Sequence, residues 1–446
     1  MNKGNGHKSV SFAEASRVWL KIGLIGFGGP AGQISLLHRI LVEERGWLKE
    51  RQFLTALNYC MLLPGPEAQQ LATYSGWLLH GIRGGLVAGT LFVLPGALVL
   101  LVLSAVYALY GETGLVAGLF FGIKAAVLAI VIEALIRIAR RILKAPLLFA
   151  VAGVAFVLIF FLAVPFPAIV LGAGLFGYAA GQRFPESFAA GGQEMSTDAA
   201  PSGADPSWQR ALALLLVFGL AWFAPLAAIA LWAGTGSVFL AEGLFFSKMA
   251  VVTFGGAYAV LAYVAQQAVE NYAWLAPGEM LDGLGLAETT PGPLILVLQF
   301  VGFLAAYRHA IGIDPLLAGL LGAGLTLWVT FVPCFLWIFL GAPYVERIGS
   351  NRALGAALSA ITAAVVGVIL NLAVWFALHV IFERVAETGL GPLRLFVPEL
   401  ASLNWAALVL ALVAMLAAFR FHLGLLPLLA MMAGLGLALH FAGLAG

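Results

Sequence analysis

The sequence predicts an all-α polytopic membrane protein, an inverted-topology repeat of two homologous helical halves with discontinuous helices. Three observations predict it. Of 446 residues, 62% are apolar and only 10% charged, where soluble domains carry about 25% charged residues. Apolar stretches approaching the roughly 20 residues needed to cross a bilayer recur from end to end, and the alternating pattern of a membrane barrel is absent. A set of short motifs occurs twice, in one order, at a constant offset of 227 positions. Backbone groups in lipid must be satisfied internally, so the spans are helices.

In chain order, residues 1–10 are short and basic. Residues 11–22 carry Glu14, Arg17 and Lys21, too polar for a cleaved signal, so a retained first helix is expected. Phe27-Gly28-Gly29 interrupts the next apolar segment. Residues 51–63 and 66–80 are each too short to span, and read as half-helices meeting at Pro64-Gly65-Pro66. Apolar spans follow at 82–110, 115–136, 146–164 and 167–178. The polar stretch 182–208 has linker composition. A span at 211–233 leads to Phe254-Gly255-Gly256, to half-helices 278–290 and 293–307 around Pro291-Gly292-Pro293, and to spans 316–340 and 353–380. Residues 1–182 form a first transmembrane repeat, 183–236 a polar linker plus connecting helix, and 237–446 a second repeat. Trp47-Leu48 and Trp274-Leu275, Lys21 and Lys248, and Glu43 and Glu270 all obey the 227 offset.

Loop charge sets the orientation. Arg137, Arg140, Arg141 and Lys144 place the end of span 115–136 in the cytoplasm, whereas the turn before it has Glu112 and no basic residue. The equivalent turn of the second half, 344–352, carries Arg347 and Arg352. Equivalent loops therefore face opposite sides, the mark of an inverted repeat and of secondary transporters. Two parallel copies are the alternative. Arg83 marks the cytoplasmic face, and Glu133 with Arg137 reads as a surface ion pair.

The motifs suit an anion. Proline removes a backbone donor and glycine admits a ligand close to the chain. Non-helical backbone at membrane depth survives only when buried in protein or lining a cavity. Pro66 and Pro293 fit the first turn of a helix, so the free amides at 67–69 and 294–296 would point inward, and helix N-termini attract anions. Asn58, Glu67, Gln69 and Gln70 flank one turn; Glu288, Thr289, Thr290 and Gln299 flank the other. Amides and hydroxyls donate to oxyanion oxygens, while Thr289 and Thr290 also suit a helix end. Lys21 and Lys248, each seven residues before a glycine of its motif, would attract an anion or snorkel to the interface. With Gly28, Gly29, Gly255, Gly256 and both Pro-Gly-Pro turns, these form the candidate binding set.

Other chemistries lack a signature. A net charge of +2 offers nothing to nucleic acid. Cys60 and Cys334 lie in apolar surroundings and read as packing residues. The histidines form no H-E-x-x-H pair and no P-loop is present, so no catalytic residue, metal or cofactor is expected.

Taken together, the motifs resemble the chromate ion transporter family in its long, two-domain form. The resemblance rests on Phe27-Gly28-Gly29-Pro30, Trp47-Leu48, and Pro64-Gly65-Pro66 with Gln69, Leu71, Ala72 and Gly76. It continues in Phe254-Gly255-Gly256-Ala257-Tyr258, Trp274-Leu275, and Thr290-Pro291-Gly292-Pro293 with Gln299-Phe300-Val301-Gly302, and covers roughly 11–142 and 239–380. It implies chromate efflux across a bacterial inner membrane, chromate resistance, and sulfate as competitor because both are tetrahedral dianions; a homodimer is a separate expectation. The alternatives are uptake of sulfate or another oxyanion, and a membrane-embedded enzyme acting on lipid or quinone. A dianion leaving a negative interior gains about 4.6 kcal/mol per 100 mV, so export needs no coupling ion in principle. Glu67 and Glu288, the carboxylates beside the turns, would repel substrate when ionised. They are expected to be structural or to tune affinity, in a potential-driven uniport.

Overall fold

The computed structural model describes residues 10–184, 188, 207–254, 257–344 and 352–444. Most of the linker, Gly255 and Gly256, and the turn containing Arg347 lie outside the described residues. The first half runs α1 (Phe12–Ile25), α2 (Gly29–His38), a π-turn (Arg39–Glu44), α3 (Glu50–Leu62), α4 (Glu67–Tyr110), α5 (Gly114–Ile142), α6 (Pro146–Phe160) and α7 (Phe166–Arg183). After α8 (Trp208–Trp232) the order recurs. It reads α9 (Val238–Val252), α10 (Ala257–Gln266), a π-turn (Gln267–Asn271), α11 (Glu279–Thr289), a 3₁₀ turn (Leu294–Leu296), α12 (Val297–His309), α13 (Pro315–Gly341), α14 (Arg352–Ile381), α15 (Trp405–Phe419) and α16 (Leu425–Phe441). Helices α4, α5, α8, α13 and α14 are long and apolar enough to cross a membrane. The chain is an all-α polytopic membrane protein.

The expected breaks occur where the residues demand them. Helix α3 stops before Pro64, and Gly65 (φ 129°) and Gly292 (φ 101°) take backbone conformations that side chains resist. Helix α4 is two helices in one. His80 and Gly81 leave helical geometry, separating the half-helix at 67–80 from the span at 82–110.

Two insertions break the 227 offset after the second Pro-Gly-Pro turn. Residues 310–314 separate α12 from α13 where α4 only kinks, so Gly84 and Pro95 correspond to Gly322 and Pro333, 238 positions on. A hairpin, β1 (Val385–Leu390) with β2 (Leu393–Pro398), lies between α14 and α15 and has no counterpart between α5 and α6. Arg394 docks it. Its amide donates to Phe161 O at 2.7 Å, its guanidinium pairs with Glu270 at 2.9 Å, and it lies 4.7 Å over the Phe396 ring.

The halves exchange partners. Helix α5 packs on α15 and α16 of the second half, and its counterpart α14 packs on α6 and α7 of the first. Small residues permit the approach. A Cβ on Gly122 of α5 would fall 1.8 Å from Met432 O on α16, and one on Gly177 of α7 would fall 2.6 Å from Ala356 O on α14. Such reciprocity is what a two-fold relation between equivalent units produces.

Candidate functional site

The two Pro-Gly-Pro turns meet the ends of the opposite helices. The Gly65 amide donates to Thr253 O at 2.8 Å, and the Gly292 amide donates to Gly26 O at 2.9 Å. Gly26 and Thr253 are equivalent positions, each just before its Phe-Gly-Gly, so the two bonds are one bond made twice. The second limb of α4 and its counterpart α13 add a matching exchange. A Cβ on Gly96 would fall 1.8 Å from Pro291 O, and one on Gly65 would fall 2.9 Å from the Cys334 sulfur. Each Pro-Gly-Pro turn thus crosses a broken helix end of the other half. Backbone groups that no helix satisfies find their partners in the other half.

The amides foreseen beside the turns stand at open helix ends, except that of Leu296, which the tight 3₁₀ turn uses itself. In α4 the first intrahelical bond runs from Gln70 N–H to Pro66 O at 3.0 Å, leaving the amides of residues 67–69 at the N-terminus. In the second half the first such bond, from Leu296 N–H to Pro293 O at 2.9 Å, closes the 3₁₀ turn that precedes α12.

Buried glutamines gather here. Gln69 and Gln70 are fully buried and Gln299 is 1% exposed. Gln70 donates to Pro64 O at 2.8 Å, Gln69 to the Thr73 hydroxyl at 3.1 Å, and Gln299 to Ala97 O at 3.0 Å. Each of these side-chain amides has a second proton to offer. Gln33 on α2 was not singled out from the sequence. It donates to Gly26 O at 3.1 Å and to Gly292 O, clamping the crossing. The side-chain carbonyl oxygens of all four glutamines are buried without a partner among the described residues. A cluster of buried, half-satisfied amides is where a polar ligand or ordered water completes the bonding.

The remaining candidates sit variously. Pro66, Gly65, Pro291, Gly292 and Pro293 are buried; Pro64, Glu67 and Asn58 are half-buried. Gly28 (φ 89°) and Gly29 (φ 66°) form the left-handed entry to α2. The Thr289 and Thr290 hydroxyls donate to Leu286 O and Ala287 O at 2.8 and 2.9 Å, so their protons serve the end of α11. Glu288 accepts from Tyr258 at 2.6 Å. Lys21 and Lys248 are both exposed and are not brought into the buried cluster; the Lys248 ammonium lies 5.8 Å from the Tyr263 ring. Arg137 does pair with Glu133.

Two further polar groups escaped the sequence reading. Asp282 on α11 is 3% exposed, accepts from Tyr107 at 2.8 Å and faces Lys124 at 3.4 Å. Glu242 on α9 is wholly buried, with neither oxygen bonded among the described residues. The signal for both was a charge inside an apolar helical run, which is costly in a membrane and for that reason informative.

Comparison with known proteins adds independent findings. The family model described as chromate transporter matches residues 13–178 and 240–439, a stretch in each half. The chain is 31% identical over 408 residues to a chromate transport protein of Pseudomonas aeruginosa, covering 88% of this chain and 87% of that protein. It is 28% identical over 352 residues to a chromate transport protein of Cupriavidus metallidurans, covering 79% of each. It is 28% identical over 364 residues to a probable chromate transport protein of Synechococcus elongatus, covering 81% of this chain and 84% of that one. No solved structure matches it.

Proposed function

This chain belongs to the chromate transporter family, and from that premise we propose that it exports chromate across a bacterial inner membrane and so confers chromate resistance. It is a multi-pass transporter, not an enzyme. The observation that carries the proposal is the pair of Pro-Gly-Pro turns, each bonded to a broken helix end of the other half. Open helix amides and the second amide protons of Gln69, Gln70 and Gln299 flank these turns in a bundle of low dielectric. A tetrahedral dianion needs many donors and no fixed carboxylate, and uncharged donors let it leave as readily as it enters.

The proposed binding set is the two turns, the backbone amides of residues 67–69 and 294–295 at the helices they open, and those three glutamines. Gly28, Gly29 and Gln33 shape its wall, and Lys21 and Lys248 anchor the membrane interface. The repeats, residues 1–182 and 237–446, are inverted about an axis in the membrane plane, with α8 as the extra crossing in the 183–236 connection. The swapped sign of equivalent loops supports that orientation. Export is favoured because a dianion runs down the electrical gradient of a cell with a negative interior.

Proteoliposomes loaded with chromate test this. Efflux should rise with an imposed potential that mimics the cell's, and sulfate should compete. Sulfate flux that chromate does not inhibit would replace chromate export with uptake of another oxyanion.

A further inference from the structure

We propose that Glu242 holds a proton that moves with the transported anion, along a row of hydroxyls on α13 that ends at the Gly65 turn. This rests on the export reading above.

Glu242 has no hydrogen-bond partner among the described residues, in a place that offers no water-facing surface. It is 0% exposed, and both carboxylate oxygens lack hydrogen bonds among the described residues. An ionised carboxylate so placed would cost many kcal/mol, and the group relieves that cost by keeping a proton. Its Oε2 lies 3.0 Å from where a Cβ on Gly322 would stand. From Gly322, Thr326, Thr330 and Cys334 follow at intervals of four, a row that winds about 120° around α13 and puts the Thr326 hydroxyl against Gly302 of α12. Thr326 and Thr330 are 1% and 4% exposed, and both hydroxyl oxygens are again unpartnered among the described residues. Cys334 then abuts Gly65. Helix α9 runs alongside in the same sense: Phe239 packs with Ala318, Glu242 meets Gly322, and Thr253 bonds Gly65. The line is about 18 Å long at 1.5 Å per residue. Successive hydroxyls one turn apart are roughly 5–6 Å from each other, so a water between each pair completes the relay.

The other half shows that the fold does not need these groups. At the equivalent positions the first half has Ala15 for Glu242, Ala88 for Thr326 and Phe92 for Thr330. The backbone match there is close. A Cβ on Gly76 would meet Gly84 O and the Ala88 side chain, as one on Gly302 would meet Gly322 O and the Thr326 side chain. The same packing is filled by apolar residues in one half and by an acid and two hydroxyls in the other.

No countercharge among the described residues explains the acid. On α9 the remaining charge is Lys248, exposed and six residues on. Helix α13 has Cys334 as its one titratable side chain. Helix α12 carries Tyr307, Arg308 and His309 at its far end, with Arg308 paired to Glu279 at 2.6 Å. Helix α8 carries Arg210 near its start, 6.0 Å from the Trp77 ring.

The step is a proton transfer. The Glu242 O–H bond breaks, its proton passes to the adjoining water or hydroxyl, and one proton leaves the far end of the line at the crossing. A neutral Glu242 and a bound dianion favour each other, because each removes a repulsion from the other's site. One proton accompanying each dianion leaves a net single negative charge moving outward, still down the electrical gradient.

Two measurements test this. Infrared spectra of the solubilised protein at neutral pH should show a protonated carboxyl band that Glu242→Gln removes. Its hydrogen–deuterium exchange should slow at least tenfold when Thr326→Val and Thr330→Val are combined, which leaves the acid in place. Absence of the band, or its survival in Glu242→Gln, overturns the proposal. In proteoliposomes at alkaline pH, where chromate is a dianion, the potential that nulls flux against a fixed chromate gradient should shift with an added pH gradient. Glu242→Gln should abolish the shift. A wild-type null potential indifferent to pH overturns coupling to the anion. Wild-type protein that carries no chromate sinks the export reading, and the band still decides whether Glu242 holds the proton.

Discussion

Among single residues, the three glutamines at the crossing separate a binding role from a packing role. Replacing Gln299 or Gln69 with Leu removes a free donor and leaves Ala97 O or the Thr73 hydroxyl without its bond. A lost hydrogen bond to a charged ligand is worth about 1.5–3 kcal/mol, so the chromate concentration for half-maximal flux should rise tenfold or more. Lys248→Met should leave that value within about twofold, because the ammonium is exposed. Flux titrations on the three variants check both outcomes. Sequence alone pointed to Gln69, Gln70 and Gln299 through their nearness to the Pro-Gly-Pro turns. It overlooked Gln33, which is far from either turn in the chain and reaches Gly292 only through the crossing. It left the lysines either to attract an anion or to snorkel, and in the fold both are exposed.

Helices and turns were far more legible. Prolines, paired glycines and segments too short to span gave the half-helices α3, α11 and the first limb of α4 nearly to the residue, including the break at His80 and Gly81. The hairpin between α14 and α15 was invisible, because its alternation is weak beside the apolar helices around it. The turns themselves should tolerate no side chain. Gly65→Ala would impose a Cβ at φ 129°, 2.8 Å from Gln70 Nε2 and 2.9 Å from the Cys334 sulfur. Transport should fall at least tenfold while the protein still reaches the membrane, as read by flux against surface-normalised protein. Gly122→Leu acts elsewhere, between α5 and α16, where Met432 O leaves no room. Overpacking there should destabilise by about 1–3 kcal/mol or more and lower the melting temperature in detergent.

Across the whole molecule, the constant offset disclosed a duplication, yet it could not disclose that the copies trade helices. Residue spacing reports what lies along the chain, and the pairing of α5 with α16 and of α14 with α7 depends on distant small residues finding one another. The inverted orientation is open to a direct measurement. Cysteines placed at Thr113, before α5, and at Arg352, which opens α14, should be labelled by an impermeant reagent from opposite sides of the membrane. Labelling of both from one side would mean parallel copies.

The traded helices also bear on how the chain is made. Synthesis runs from the first residue onward, so α5 enters the bilayer long before α15 and α16 exist, and its glycine face waits against lipid. The early half is an unfinished object that a quality-control protease can recognise until the last two helices arrive. A gene cut between α7 and α8 should therefore give two fragments that are each short-lived alone and long-lived together. Pulse-chase decay of the fragments, expressed singly and as a pair, would show that the late half acts as the chaperone of the early one.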